Sequence, residues 1–364
     1  MKTYKILKPV LIILFIYLTL NANAQKKGIA KVAIIQTTGV SHQDPFMGDF
    51  DQSRVKPLMM AHFNKLLSLF EEAGSKGADI VCGPEDMQHI GSYGLNINVK
   101  DPSTGKILFN SLAVPVPGQL TDLVSAIASK HSMYIIAPIY ESVGEEIFNT
   151  AVIFDRQGKI IGKHRKTVLP VMETWLVSTG DEFEVYPTDF GNIAVATCLE
   201  MSYPEITTIY ALKGADIVFN PTMARYNKDG EGLSTASVFV ARAIDNSVYV
   251  APVVLGTEGN GIIDFNGNVI AEALGKNNSV IIAEIDFSKD RISKSEWWKT
   301  INGTENVKAM FFKQRRPETF KMLIDQNPPV LEKYKDIHLT TGDKKRQLKA
   351  VENVDYGPNA KTKK

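Results

Sequence analysis

Cysteine is scarce in this chain: Cys82 and Cys198 are the only two among 364 residues. That number excludes a disulfide-stapled scaffold, which uses several bridges in place of a core. The six histidines are scattered, and no Cys/His spacing matches a zinc site. Charge of one sign is missing as well, with 41 basic against 40 acidic side chains. No basic stripe carries interleaved aromatics, so nothing points to nucleic acid or an anionic membrane surface as partner. There is no repeat at solenoid period and no long linker. The apolar run at the N-terminus is shorter than the roughly 20 residues that span a bilayer.

What is present begins with that run. Lys2, Lys5 and Lys8 precede an apolar stretch over residues 10–20, and Ala22-Asn23-Ala24 offers a small-residue cleavage site. This is the pattern of a secretory signal over residues 1–24, leaving Gln25 as the first mature residue. The alternative is an uncleaved anchor. No cysteine directly follows the apolar stretch, which argues against a lipid anchor. The expectation is an exported protein, periplasmic or secreted, with no stable membrane span after cleavage. Export would permit a disulfide, but Cys82 ends the apolar segment 78–81 and reads as a buried core thiol. It stands three residues before Glu85, an odd spacing that points extended side chains to opposite faces.

Beyond the signal, apolar runs with β-branched residues alternate with helical periodicity. Strands are predicted over 31–36, 78–82, 133–138, 149–154, 160–166, 193–197, 216–220, 247–254 and 280–285. Helices are predicted over 57–73, 121–132 with Thr121 as N-cap, 206–213 and 237–246. Hairpins turn at Asp155-Arg156-Gln157-Gly158-Lys159 and at Asn266-Gly267. The alternation indicates an α/β layered domain with a mixed sheet, assigned to residues 28–286. Residues 287–340 form an extension, with Trp297, Trp298, Phe311 and Phe312 available to pack on the domain or on a partner. The Lys-rich residues 341–364 read as a mobile tail.

Three segments carry residues suited to chemistry, and each also has an ordinary structural use. Cys198 ends the run 193–197 and is followed by Leu199-Glu200; it is either a nucleophile or a core thiol. Glu85, in Gly83-Pro84-Glu85-Asp86 after a strand, is either a general base or a turn acid. Lys166, in His164-Arg165-Lys166-Thr167, either stabilises a thiolate and an oxyanion or belongs to a solvated basic edge.

Taken in order, Gly-Pro-Glu after a strand, Arg-Lys-Thr-x-Leu after a strand pair, and a Cys-x-Glu resemble the nitrilase superfamily of carbon–nitrogen hydrolases. The resemblance covers residues 29–285. Phe148-Asn149-Thr150-Ala151, Gly214-Ala215-Asp216-Ile217, Asn220-Pro221-Thr222 and Ala241-Arg242-Ala243-Ile244-Asp245-Asn246 add to it. It departs from the family at Leu199, where an aromatic is frequent, and at Asn260-Gly261, where a serine is usual.

The resemblance implies a four-layer α-β-β-α sandwich and a triad of Glu85 as general base, Lys166 as oxyanion-stabilising cation and Cys198 as nucleophile. It implies substrate positioning by Glu173 and an oxyanion hole completed by the backbone N–H of Leu199. The implied reaction is acyl transfer to Cys198 from a small amide or carbamoyl compound, with release of ammonia or an amine and no cofactor or metal. A nitrilase acting on a nitrile is the alternative on the same scaffold, and a catalytically silent binding relative is the alternative of another class. Relatives of this kind usually pair through helices next to the nucleophile, so a homodimer or larger homo-oligomer is expected.

Overall fold

The computed structural model describes residues 28–37, 51–91, 100–224, 226, 231–273, 275 and 278–339. The signal over 1–24 and the tail over 341–364 lie outside the described residues.

Two six-stranded sheets form the framework. The first contains β1 (Ile29–Gln36), β2 (Ile80–Cys82), β3 (Tyr134–Val143), β4 (Glu146–Phe154), β5 (Ile160–Arg165) and β12 (Ser279–Asp286), in the order β12-β1-β2-β3-β4-β5. The second contains β6 (Tyr186–Pro187), β7 (Asn192–Val195), β8 (Ile217–Thr222), β9 (Tyr249–Val254), β10 (Gly261–Ile263) and β11 (Val269–Glu272), in the order β11-β10-β9-β8-β7-β6. Each sheet has a parallel trio at its centre, β1-β2-β3 in one and β7-β8-β9 in the other, flanked by antiparallel strands.

The sheets stack face to face. Val32 and Ile34 of β1 point into the layer between them, with Ile136, Ile153, Val195, Phe219 and Ala251. Ala33 and Ile35, one residue out of phase, point to the outer face. Burial on both faces explains why the central strands read as continuous apolar runs rather than as alternation. Cys82 belongs to the layer between the sheets, and both thiols are free.

Helices cover the outer faces. On the first sheet lie α1 (Val55–Ser75) and α3 (Gln119–His131), after a short α2 (Leu108–Leu112). Helix α1 presents Phe63, Leu66, Phe70 and Ala73, spaced at three and four residues, to the sheet. Its Pro57 falls in the first turn, where a missing N–H does no harm, and Gly77, at φ +74°, reverses the chain beyond its end. On the second sheet lie α4 (Pro204–Leu212) and α5 (Ser237–Asn246), which bury Ile206, Tyr210, Phe239 and Ala243. The four layers are therefore α-β-β-α. Two further helices, α6 (Glu296–Asn302) and α7 (Val307–Lys313), follow β12; Phe312 packs on the α4–α5 side, while Trp297 is exposed.

Two expectations need correction. Thr121 is not the N-cap of α3: the helix begins earlier, after Gly118, and the Thr121 hydroxyl accepts the Gly118 N–H at 2.7 Å from within the first turn. Strand β7 ends at Val195, so Cys198 does not close a strand but opens a 3-10 turn, Cys198–Ser202.

Candidate active site

Glu85, Lys166 and Cys198 reach one cavity from different strand ends. Glu85 follows β2, the middle strand of the first sheet, and Lys166 follows β5 at that sheet's edge. Cys198 comes from the second sheet, where its φ of +50° turns the chain sharply out of the strand direction. A non-glycine residue at positive φ is costly, and such strain concentrates at functional positions. All three are buried, Glu85 at 2%, Lys166 at 1% and Cys198 at 9% exposure, so none belongs to a solvated edge.

The polar contacts form one connected set. Lys166 Nζ donates to Glu85 Oε1 at 3.0 Å and to Glu173 Oε2 at 2.6 Å. Asn149 Nδ2 also donates to both acids, to Glu85 Oε1 at 2.8 Å and Glu173 Oε1 at 2.7 Å. The Tyr140 hydroxyl donates to Glu173 Oε1 at 3.2 Å, and the Met223 N–H donates to Glu85 Oε2 at 2.8 Å. Glu173 sits on a short 3-10 turn, Glu173–Trp175, within the loop after β5. The sequence therefore places Glu85, Lys166, Glu173 and Cys198 apart along the chain, and the fold brings them to the same walls. Leu199 follows in the first turn beyond Cys198, half-buried.

Burial sets the charge states. It pushes the Cys198 thiol up to about 11, helped by the Glu85 carboxylate and opposed by the Lys166 ammonium, the Thr222 side chain and the Met223 N–H. The thiol is thus neutral near pH 7 and needs a base to react. Burial alone would pull the Lys166 ammonium down, but the charges of Glu85 and Glu173 outweigh it and hold the group above the ordinary lysine range. Burial raises Glu173 as well, against the opposing pull of Lys166. The next residue after Glu85, Asp86, is pushed up to about 8 by burial, although the N–H groups of Ile90 and Gly91 bind its carboxylate.

The cavity has a volume of about 310 Å³. Beyond the polar set it is walled by Phe109, Pro170, Met172, Leu176, Val177 and Met223. Among the described residues no cluster of three or more His, Cys, Asp or Glu side chains could hold a metal ion. A neutral thiol next to a buried carboxylate and a buried ammonium, in an apolar pocket, can carry out covalent acyl transfer.

Several contributors escaped the sequence reading. Asn149, in the Phe148–Ala151 segment, is buried and bridges both acids, a role that no spacing in the sequence marks. Met223 acts through its backbone, which no residue pattern reveals. Glu200 is fully buried, and the Cys-x-Glu spacing was its only signal.

The carbon-nitrogen hydrolase family model matches residues 31–291. The chain is similar to omega-amidase NIT2-B of Xenopus laevis, 30% identical over 255 residues, which cover 65% of this chain and 87% of that protein. It is also similar to the bifunctional nitrilase/nitrile hydratase NIT4B of Lupinus angustifolius, 35% identical over 172 residues, 44% of this chain and 49% of that one. A solved carbon-nitrogen hydrolase from Helicobacter pylori G27 shares the fold, with a TM-score of 0.61 at 20% identity over 82% of this chain and 99% of that one. The family model, which spans both sheets, makes the chain a member of the carbon–nitrogen hydrolase family, within the nitrilase superfamily, and an amidase-like enzyme.

Proposed function

We propose that this chain is an exported thiol amidohydrolase that cleaves a small, uncharged amide or carbamoyl compound through an acyl-Cys198 intermediate. The observation that carries the reading is the convergence of Glu85, Lys166 and Cys198 on one buried cavity.

In this reading Glu85 takes the thiol proton as the sulfur attacks the carbonyl carbon, forming the C–S bond. The oxyanion is met by Lys166 and by the N–H of Leu199, which lies in the first turn of a helix, where amides have no intrahelical acceptor. Glu85 then passes its proton to the leaving nitrogen as the C–N bond breaks, giving ammonia or an amine and a thioester. It next accepts a proton from water, which attacks the thioester; the C–S bond breaks and the thiol regains its proton. Glu173, bonded to Lys166 and Asn149, positions the substrate.

The walls favour a neutral acyl group. Lys166 is the one cation lining the cavity among the described residues, and it already pairs with two carboxylates. An acyl chain bearing its own carboxylate would meet Glu85 and Glu173 without a free partner. Ammonia release from butyramide, succinamate, butyronitrile and a neutral carbamoyl compound tests this. Butyramide is expected to exceed succinamate at least tenfold in kcat/KM, about 1.4 kcal/mol. A preference for the nitrile would favour the nitrilase reading instead, and no turnover of any would favour a silent binding relative.

Export, the domain limits and self-association belong to the same reading. Cleavage after Ala24 predicts Gln25 at the N-terminus of protein recovered from the periplasm or medium. The hydrolase domain is assigned to 28–286, where β12 closes the first sheet, with 287–340 as an extension. Exposed Tyr203, Ile209 and Leu212, at and along α4 beside the nucleophile turn, support a homodimer through that helix. Gel filtration at micromolar concentration showing only monomer would contradict it.

A further inference from the structure

The chemistry above leaves unused the most heavily bonded carboxylate near the nucleophile. Glu200 is fully buried, two residues beyond Cys198 on the same 3-10 turn. Its Oε1 accepts the Thr167 N–H and the Thr167 hydroxyl, both at 2.8 Å. Its Oε2 accepts the Thr197 N–H at 2.5 Å and contacts His164 Nε2 at 2.7 Å.

The identity of these partners gives the contact its meaning. Thr167 directly follows Lys166, and Thr197 directly precedes Cys198. Lys166 follows β5 at the edge of the first sheet, and Cys198 opens the 3-10 turn beyond β7 of the second. One carboxylate thus holds the main chain beside both groups, across the gap between the sheets. His164 is itself buried, with its other ring nitrogen 3.3 Å from the Tyr210 hydroxyl, which donates to Val195 O in β7. Burial would drive a proton onto Glu200, but His164 and the Thr167 donors outweigh it and keep the carboxylate ionised.

We propose that Glu200 is a positioning residue that fixes Lys166 relative to the Cys198 sulfur and so sets how far Lys166 stabilises the thiolate. The proposal rests on the reading of Lys166 and Cys198 as reacting partners. No other side chain reproduces the clamp. Glutamine offers one oxygen where two are needed, and its NH2 would face the N–H donor of Thr167 or Thr197. Aspartate is one methylene too short to reach both ends.

Iodoacetamide alkylation of Cys198, read on its own peptide, tests the proposal whether or not a substrate has been found. The variants are Glu200→Gln, Lys166→Met and the double substitution, with circular dichroism to confirm that each is folded. Glu200→Gln is expected to slow alkylation about tenfold, and the double variant to be no slower than Lys166→Met alone. With a turned-over amide, Glu200→Gln should lower kcat about 100-fold while KM moves less than threefold. Alkylation of folded Glu200→Gln at the wild-type rate, beside a slow Lys166→Met, would overturn the proposal. Effects that multiply in the double variant would overturn it too, since a residue that only supports the fold adds independently. Should Glu200→Gln not fold, Thr167→Val removes only the hydroxyl bond, with an expected slowing of about threefold that disappears in the Lys166→Met background; a wild-type rate there overturns the proposal. A wild-type rate in Lys166→Met itself would instead remove the underlying reading, which keeps the two failures distinct.

Discussion

Glu85 Oε2 accepts the backbone N–H of Met223 at 2.8 Å, a bond that crosses from the first sheet to the second. Glu85 follows β2 and Met223 follows β8, the middle strands of two sheets with the same internal order. The same N–H faces the Cys198 sulfur. The Glu85 carboxylate is therefore held against the strand end that also faces the Cys198 sulfur.

Removing the proton acceptor while keeping the shape gives the first prediction. Glu85→Gln is expected to lower kcat/KM by about 10³-fold, within the range for loss of a general base. The thiol must then ionise unaided. Burial, the largest cause of its shift to about 11, remains in the variant. The Glu85 charge, which also raises the thiol, is lost while Lys166 stays, so alkylation in Glu85→Gln should climb with pH and reach its midpoint at a lower pH than the wild-type thiol. A midpoint equal to or above that of the wild type would contradict this.

The backbone at Cys198 gives a second. Alanine at position 198 must still adopt a φ of +50°, whereas glycine does so without penalty. Cys198→Gly should therefore unfold at a higher denaturant concentration than Cys198→Ala, by roughly 1 kcal/mol. An alanine variant more stable than the glycine variant would show that the turn is unstrained.

A third concerns stability away from the cavity. Glu141 is buried on β3 and accepts from Lys163 at 2.7 Å, Arg165 at 3.0 Å and Thr150 at 2.9 Å. Burial would raise its pKa, but these partners together lower it below the usual glutamate value. A depressed carboxylate contributes stability above its unfolded pKa and loses it as pH falls through the folded value. Glu141→Gln should cost about 2 kcal/mol at pH 7, discounted because Lys163 and Arg165 are each about a third exposed, and much less at pH 3. Thermal melts at the two pH values check this, and an equal cost at both would contradict it.

Much of the framework was legible because the central strands and the covering helices have simple patterns. The β1 run is apolar over residues 32–35 because both faces are buried there, and helix α5 carries its periodicity over the full span predicted for it. Strand β6 has two residues and α2 five, too few to form a period. Thr121 is of a type that favours caps, yet the helix starts earlier, directly after Gly118. Glu85, Lys166 and Cys198 stand out by motif order. The Met223 N–H, the Asn149 bridge and the Glu200 clamp do not, because each depends on contacts between strands distant in sequence.

The central claim is a covalent acyl group on Cys198. Rapid quenching of the enzyme during turnover of a small neutral amide such as butyramide, followed by peptide mass spectrometry, tests it most directly. The account predicts a mass increase equal to the acyl group on the Cys198 peptide, and neither adduct nor ammonia release in Cys198→Ala. Steady ammonia release by Cys198→Ala at the wild-type rate would contradict it.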